Sequence, residues 1–164
     1  MKGTAGKLTP ILLWLLVCAC NPRFVVYQPE ALRNACPVTV VPISVNASEG
    51  EYRAAYFPRF REEFKRQLSA SVSIKEAANL DRNLTWEDAV AAGKDLGVQA
   101  VVGLLIEDSN HPPRLTEILK IVKVSNGRAL AESIRLITPG ADYRFEKEVE
   151  AIKRLLSCPS KPGP

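Results

Sequence analysis

The 164-residue sequence contains a single histidine and a single methionine, and only 7% of its residues are aromatic. Histidine, cysteine and carboxylate residues do not cluster anywhere at the spacing of a metal site. The one histidine, His111, has no serine or cysteine nucleophile motif with it, so a catalytic triad is not indicated and a solvated loop residue is the simpler interpretation. Apolar residues separate Gly97 from Gly103, so no phosphate-binding loop is expected. We therefore expect no catalytic residue, no metal and no cofactor.

The sequence has no hydrophobic run long enough to cross a bilayer. It also has no cluster of basic residues. Its most apolar run, Ile11–Val17, falls well short of the about 20 residues that a spanning helix needs. Because Lys2 and Lys7 precede this run, it has the pattern of a cleaved signal peptide. Removal of those two lysines takes the formal net charge from +4 to +2, and a nucleic-acid surface is not expected at so small a charge.

The residues at the end of this signal, Val17-Cys18-Ala19-Cys20, resemble the lipobox of bacterial lipoproteins. The resemblance implies that residues 1–19 are removed, that Cys20 is lipidated and that the protein associates with the membrane through this lipid anchor. The alternative is an ordinary secretory signal cleaved nearby. Acyl chains contribute about 0.8 kcal/mol per buried CH₂, so we expect no need for a membrane-binding surface of the protein itself. Asn21, where an aspartate would resemble an inner-membrane retention signal, favours the periplasmic face of the outer membrane.

Two cysteines, Cys36 and Cys158, remain after this processing. Paired cysteines tend to form disulfides in the oxidising compartment that an exported protein enters. Cys36 precedes the first predicted core strand and Cys158 follows the last predicted helix, so a bridge would join the two ends of the domain. Closing so long a loop contributes about 4–5 kcal/mol in the chain-entropy model. The alternative is two unrelated thiols.

Three β-rich runs between Gly97 and Ile137 are the strongest structural signal of the chain. Loop residues 109–114 separate the first two runs, and Asn126-Gly127 separates the second from the third. This pattern predicts an antiparallel meander, with a type I′ turn at Asn126-Gly127. An earlier β-branched run, Val38–Val45, predicts a further strand, and its Pro42 argues for an edge position or a bulge. Ser71–Ile74 has the composition of a short strand.

Helices are predicted on either side of the meander. Pro58 is suited to a first helical position, and residues 52–56 are expected to form a separate turn because proline inside a helix costs about 3 kcal/mol. Thr85 and Asp88 form a capping box for a second helix that runs to about Leu96, with Gly97 as the C′ glycine that stops it. We expect Asp142 to cap the last one. Two apolar stripes at helical spacing predict core packing against the sheet: Phe57, Phe60, Phe64 and Leu68 in the first helix, and Phe145, Val149, Ile152 and Leu156 in the last.

These elements predict an α/β (α+β) two-layer domain, a mixed sheet with a three-stranded antiparallel meander packed by two to three helices. The expected boundaries are a signal peptide at 1–19, a tether at 20–36, the domain at 37–157 and a tail at 158–164. Phe24–Tyr27 in the tether has the composition of an extended segment that pairs with a sheet edge. Gly103, inside a predicted strand, indicates close approach by a helix, which we expect to use its small residues Ala89, Ala92 and Gly93.

The order of elements and three stretches resemble the TolB amino-terminal and curli-secretion lipoprotein superfamily. The stretches are Val38–Ile43, Ala91–Leu105 with its Leu-Gly followed by an apolar strand, and Ile121–Leu130 with its glycine turn. Proteins of this group are periplasmic, often lipidated, and often form rings or act as adaptors in envelope machines. The small single-domain Pel polysaccharide export lipoprotein is similar in plan. The resemblance implies envelope or secretion proteins and further copies of the chain as partners, and it transfers no catalytic residue.

Few residues outside the core are candidates for contact with a partner. Trp86 at the start of a helix is either an interface residue or partly buried against the sheet, and the stiff segment His111-Pro112-Pro113-Arg114 could meet a partner. Glu107 and Asp108 are expected to be solvated strand-end acids. The favoured hypothesis is a non-enzymatic outer-membrane lipoprotein that acts as a self-associating assembly or export component. The alternative is a monomeric periplasmic adaptor or activator of a cell-wall enzyme.

Overall fold

A computed structural model of the protein describes residues 22–44, 50–76, 84–108, 115–138 and 143–156. The order of elements is β1 (Val25–Val26), α1 (Pro29–Arg33), β2 (Val38–Ile43), α2 (Gly50–Leu68), α3 (Trp86–Asp95), β3 (Ala100–Asp108), β4 (Leu115–Lys123), β5 (Ala129–Ile137) and α4 (Glu146–Leu155). None of the helices among the described residues is long and apolar enough to span a membrane.

The five strands form one mixed sheet in the order β1-β5-β4-β3-β2. The β3-β4-β5 meander is antiparallel throughout, which confirms the prediction, and β2 joins β3 in parallel at the edge, where Pro42 can be tolerated. The predicted pairing of the Phe24–Tyr27 segment is confirmed in β1, which pairs with β5 with Val25 opposite Glu132. The predicted strand at Ser71–Ile74 is reduced to an isolated bridge between Ile74 and Val38.

The sheet separates two clusters of buried side chains, because alternate residues of each strand point to opposite faces. On the first face, the aromatic stripe of α2 and the apolar stripe of α4 pack with Val102 and Leu119 into the larger core, so both predicted stripes are confirmed. On the second face, Val101 and Leu105 pack with Ala89 of α3 in a smaller cluster. The α/β class is therefore confirmed, and α3 adds a partial third layer to the two predicted.

One expectation about helix boundaries is wrong. Helix α2 runs from Gly50 to Leu68 without interruption and contains Pro58, because buried side chains on both sides of the proline, Tyr56 and Phe60, fix the helix in the core. The lost backbone hydrogen bond is offset by that packing. Helix α4 has Phe145 at its N-cap position and no side-chain cap; Asp142, which was expected to cap this helix, lies outside the described residues.

The turn after β4 also differs from the prediction. The amide of Gly127 donates to the carbonyl of Lys123 at 2.9 Å, and the amide of Lys123 donates to the carbonyl of Arg128 at 2.9 Å. The loop therefore spans four residues, 124–127, and is wider than a type I′ turn. Gly127 has φ 68°, which a glycine adopts without steric cost, and the Asn126 side chain accepts from the Arg128 amide at 3.1 Å.

Residues 22–36, predicted as a tether, contain β1 and the short helix α1. Leu32 of this helix and Ala35 are buried in the larger core, because the amides of Tyr27 and Gln28 donate to the Leu130 carbonyl and hold the segment against β5. The segment that follows the predicted anchor is therefore packed on the sheet from residue 24 onward.

Candidate interaction surface and buried ionic cluster

The second face of the sheet carries an open cleft between α3 and the β4-β5 hairpin. The capping box predicted for α3 is present, since the Thr85 side chain accepts from the Asp88 amide and Asp88 accepts from the Thr85 amide. The cap fixes the position of Trp86, the first residue of the helix. The cleft has a volume of about 630 Å³. It is lined by Trp86, Glu87, Val90, Lys94, Lys120, Val122, Asn126, Gly127 and Ala129.

Trp86 is half-buried, with its ring over Gly103 of β3. Lys120 of β4 lies with its Nζ 5.3 Å from the centre of the indole ring, a cation–π contact that joins the helix to the sheet. The predicted close approach at Gly103 is thus made by an aromatic side chain rather than by the small residues of the helix. Gly93, one of those small residues, instead lies against Val101 and Val124.

The lining of the cleft combines apolar side chains with charges of both signs. Val90, Val122 and Ala129 supply the apolar part, while Glu87 and Lys94 lie on the helix side. No group of three or more histidine, cysteine, aspartate or glutamate side chains within the described parts of the chain could hold a metal ion. An aromatic ring between apolar and charged side chains is the composition of a protein-contact surface.

A cluster of charged side chains is buried on the first face, which the sequence did not predict. Glu117 of β4 and Glu148 of α4 are 1% and 2% exposed. Arg135 of β5 binds both: its Nε donates to Glu117 at 2.8 Å, and it forms an ion pair with Glu148. The Tyr143 hydroxyl lies 3.1 Å from Glu117 and 3.0 Å from Glu148. The cluster therefore ties α4 to the centre of the meander.

The cluster contains two carboxylates and one guanidinium, so burial would leave an unbalanced negative charge. Burial, with a smaller contribution from Glu148, raises the pKa of Glu117 to about 7, although Arg135 opposes the shift. A tyrosine hydroxyl has one hydrogen to donate, so Tyr143 can donate to only one of the two carboxylates. A proton on the other carboxyl group lets Tyr143 accept the second hydrogen bond. The alternation of apolar residues along β4 predicts a hydrophobic residue at position 117. The acid found at this inward-facing position is the sequence signal from which a buried charge could have been predicted.

Several residues singled out in the sequence lie outside the described residues: Cys20, His111, Pro112, Pro113, Arg114 and Cys158. Their predicted roles stay predictions. Cys36 is disulfide-bonded, and its partner is outside the described residues. Glu107 is half-buried at the end of β3. The structure therefore places only Trp86, of the five candidate contact residues, and puts it at the cleft.

No protein-family model and no curated protein sequence matches the chain. Solved structures that are similar include the PelC dodecamer of Paraburkholderia phytofirmans, at 15% identity over 83% of this chain and 96% of that one, with a TM-score of 0.47. Lipoprotein GNA1162 of Neisseria meningitidis is 12% identical over 73% and 93%, with a TM-score of 0.42. The C-terminal domain of LpoB from Salmonella enterica is 12% identical over 68% and 96%, with a TM-score of 0.41. These likenesses are too weak to place the chain in a family.

Proposed function

We propose that this protein is a lipid-anchored, non-enzymatic component of the bacterial cell envelope, held at the outer membrane by Cys20 and acting through protein contacts and self-association. The observation that supports contact with proteins is the cleft at Trp86, where an anchored aromatic ring lies beside Val90 and the Lys120 ammonium group. Aromatic residues set in partly apolar surroundings contribute most to the free energy of binding at protein interfaces. The lipobox-like sequence supports the anchor.

The anchor is tested by replacing Cys20 with alanine in the full chain. We expect the variant to leave the membrane fraction, because a folded domain with no acyl chain loses the apolar area that holds it there. Mass spectrometry of the wild-type N-terminal peptide should show an acylated Cys20. Continued membrane association of the variant, with no acyl group on the wild-type protein, would disprove the anchor.

Self-association is tested on the mature lipoprotein in detergent by light scattering. Val90→Arg places a charged side chain in the cleft and should weaken self-association roughly tenfold or more, the loss expected for a central interface contact. Ala70→Arg, at an exposed position after α2 on the other side of the sheet, is the matched control and should leave the mass unchanged. A wild-type protein that stays monomeric at high concentration would favour the adaptor role instead.

A further inference from the structure

Helix α3 covers only part of the second face of the sheet. It begins where Trp86 meets Gly103, in the middle of β3, and its C-terminal residues lie over the start of that strand, where Gly93 meets Val101. The start of β4, near Leu115, and the end of β5, near Ile137, lie beyond this helix. Among the described residues, no helix covers this part of the second face. The side chains there are apolar and exposed, or half-buried.

We define the bare quarter as Val25, Tyr27, Ile118, Ile134 and Leu136. Ile134 and Leu136 are 60% and 57% exposed, and Val25 and Tyr27 are 58% and 53% exposed. Ile118 pairs with Ile134 across the two strands, and Val25 lies opposite Glu132, so the five side chains share one face. Exposed apolar side chains that are grouped on one uncovered face, rather than scattered singly, point to an interaction site.

The charges at the border of the bare quarter are neutralised within the sheet. Glu132 receives a 2.8 Å ion pair from the Lys120 ammonium group and a 3.1 Å hydrogen bond from the Tyr27 hydroxyl. The carboxylate is therefore compensated before anything covers this surface. Tyr27 presents an apolar ring with a polar tip, the kind of side chain that is enriched at the boundary between membrane and water.

The path of the chain puts the predicted anchor next to this surface. Strand β1 runs antiparallel to β5, so the residues before Val25 run toward Ile137, the bare end of the sheet. Cys20 precedes Val25 by five residues, which span at most about 17 Å when fully extended. The acyl chains proposed on Cys20 would therefore enter the bilayer within about 17 Å of Val25, which belongs to the bare quarter.

We propose that the bare quarter rests on the lipid surface in which the Cys20 anchor is embedded, so that the domain is held in one orientation on the membrane. This inference depends on the proposed lipid anchor and adds a contact that the sequence did not predict. The β4-β5 hairpin lies at the opposite end of the strands from Ile137, so in this orientation it is the part of the meander farthest from the membrane.

A second copy of the chain is the less favoured occupant because the exposed apolar area is small. Four side chains that are each little more than half exposed supply well under the about 800 Å² per partner that a standard interface buries. A lipid contact needs no such area, because the anchor already keeps the domain at the membrane and raises the effective concentration of the surface beside it.

The test places a photoreactive benzoyl-phenylalanine at single positions of the full chain in intact cells. Position 134 probes the bare quarter, position 23, three residues after Cys20, probes the anchor, and position 128, exposed on the hairpin, is the distant control. We expect phospholipid adducts, identified by mass, at 134 and 23, and several-fold fewer at 128.

The outcomes separate this inference from the proposed function. Absence of lipid adducts at both 134 and 23 would contradict the anchor. Lipid adducts at 23 together with none at 134 would overturn the membrane contact alone, and so would an adduct at 134 to a second copy or to another protein. Equal lipid labelling at 134 and 128 would also overturn it, because the domain would then have no fixed orientation.

Discussion

At the scale of single residues, the position of the Trp86 ring depends on the absence of a side chain at Gly103. A Cβ atom at Gly103 would lie 2.4 Å from Cζ3 and 2.6 Å from Cη2 of the indole ring, and 3.0 Å from Cγ1 of Ile43. The ring contacts are shorter than any tolerated carbon–carbon contact. Because the ring covers the strand where the side chain of any other residue would stand, glycine is required at this position.

We predict that Gly103→Ala lowers the free energy of unfolding by about 1–3 kcal/mol, the usual cost of overpacking. Urea denaturation, followed by the fluorescence of Trp86, measures this loss; Trp86 is the only tryptophan outside the predicted signal peptide. In a Trp86→Ala background the same substitution should cost much less, because the ring that it meets is gone. An equal cost in both backgrounds would show that the strain comes from Ile43 or the backbone.

At the scale of secondary-structure elements, the buried ionic cluster makes the docking of α4 depend on pH. The apolar stripe of α4 packs on α2 and the sheet, and Glu148 of the same helix meets Arg135 and Tyr143 beside Glu117. The charged groups that face Glu117 are therefore Arg135 from β5 and Glu148 from α4, with Tyr143 as the hydrogen-bonding neighbour.

Folding raises the pKa of Glu117 from 4.5 to about 7. Between these values the folded protein holds more protons than the unfolded chain, so its stability falls as the pH rises through this window and levels off above it. The slope from this group is at most on the order of 1 kcal/mol per pH unit. Glu117→Gln cannot ionise and should flatten the curve between pH 4.5 and 7, relative to wild type, in urea denaturation.

Glu150→Gln is the matched control for this slope. Glu150 lies on the same helix in an exposed ion pair with Arg154, at 2.6 Å, and such pairs contribute little. We expect its pH profile to follow that of wild type. If Glu117→Gln left the slope unchanged as well, the proton uptake would belong to other groups.

At the scale of the whole molecule, hydrophobic periodicity predicted most of the fold and little of the candidate site. Ala100–Asp108 was predictable because a short, β-branched apolar run between turn residues is typical of a buried strand, and the aromatic stripe of α2 because its spacing matches the period of a helix. The uninterrupted helix through Pro58 was not, since tertiary packing outweighs a local preference. The exposed face of Ile134 and Leu136 was not predictable either, because apolar residues in a strand are expected to be covered.

We predict that a disulfide between Cys36 and Cys158 joins the two ends of the domain. Cys36 is disulfide-bonded. If Cys20 is acylated and Cys18 is removed with the signal peptide, as proposed, Cys158 is the one other free cysteine of the chain. Leu156 is buried in the larger core, against which Cys36 packs, so the last described residue before Cys158 is close to the same core.

We expect peptide mapping of the non-reduced mature protein to recover Cys36 linked to Cys158. Cys158→Ser should lower the free energy of unfolding by about 2–5 kcal/mol, and reducing agent should destabilise the wild type to the same extent while leaving the variant unchanged. A link from Cys36 to Cys20 would contradict both the bridge and the anchor, because a sulfur atom in a disulfide cannot carry a lipid. Whether Cys20 carries a lipid or a disulfide therefore decides both which cysteine closes the domain and whether a lipid holds it at the membrane.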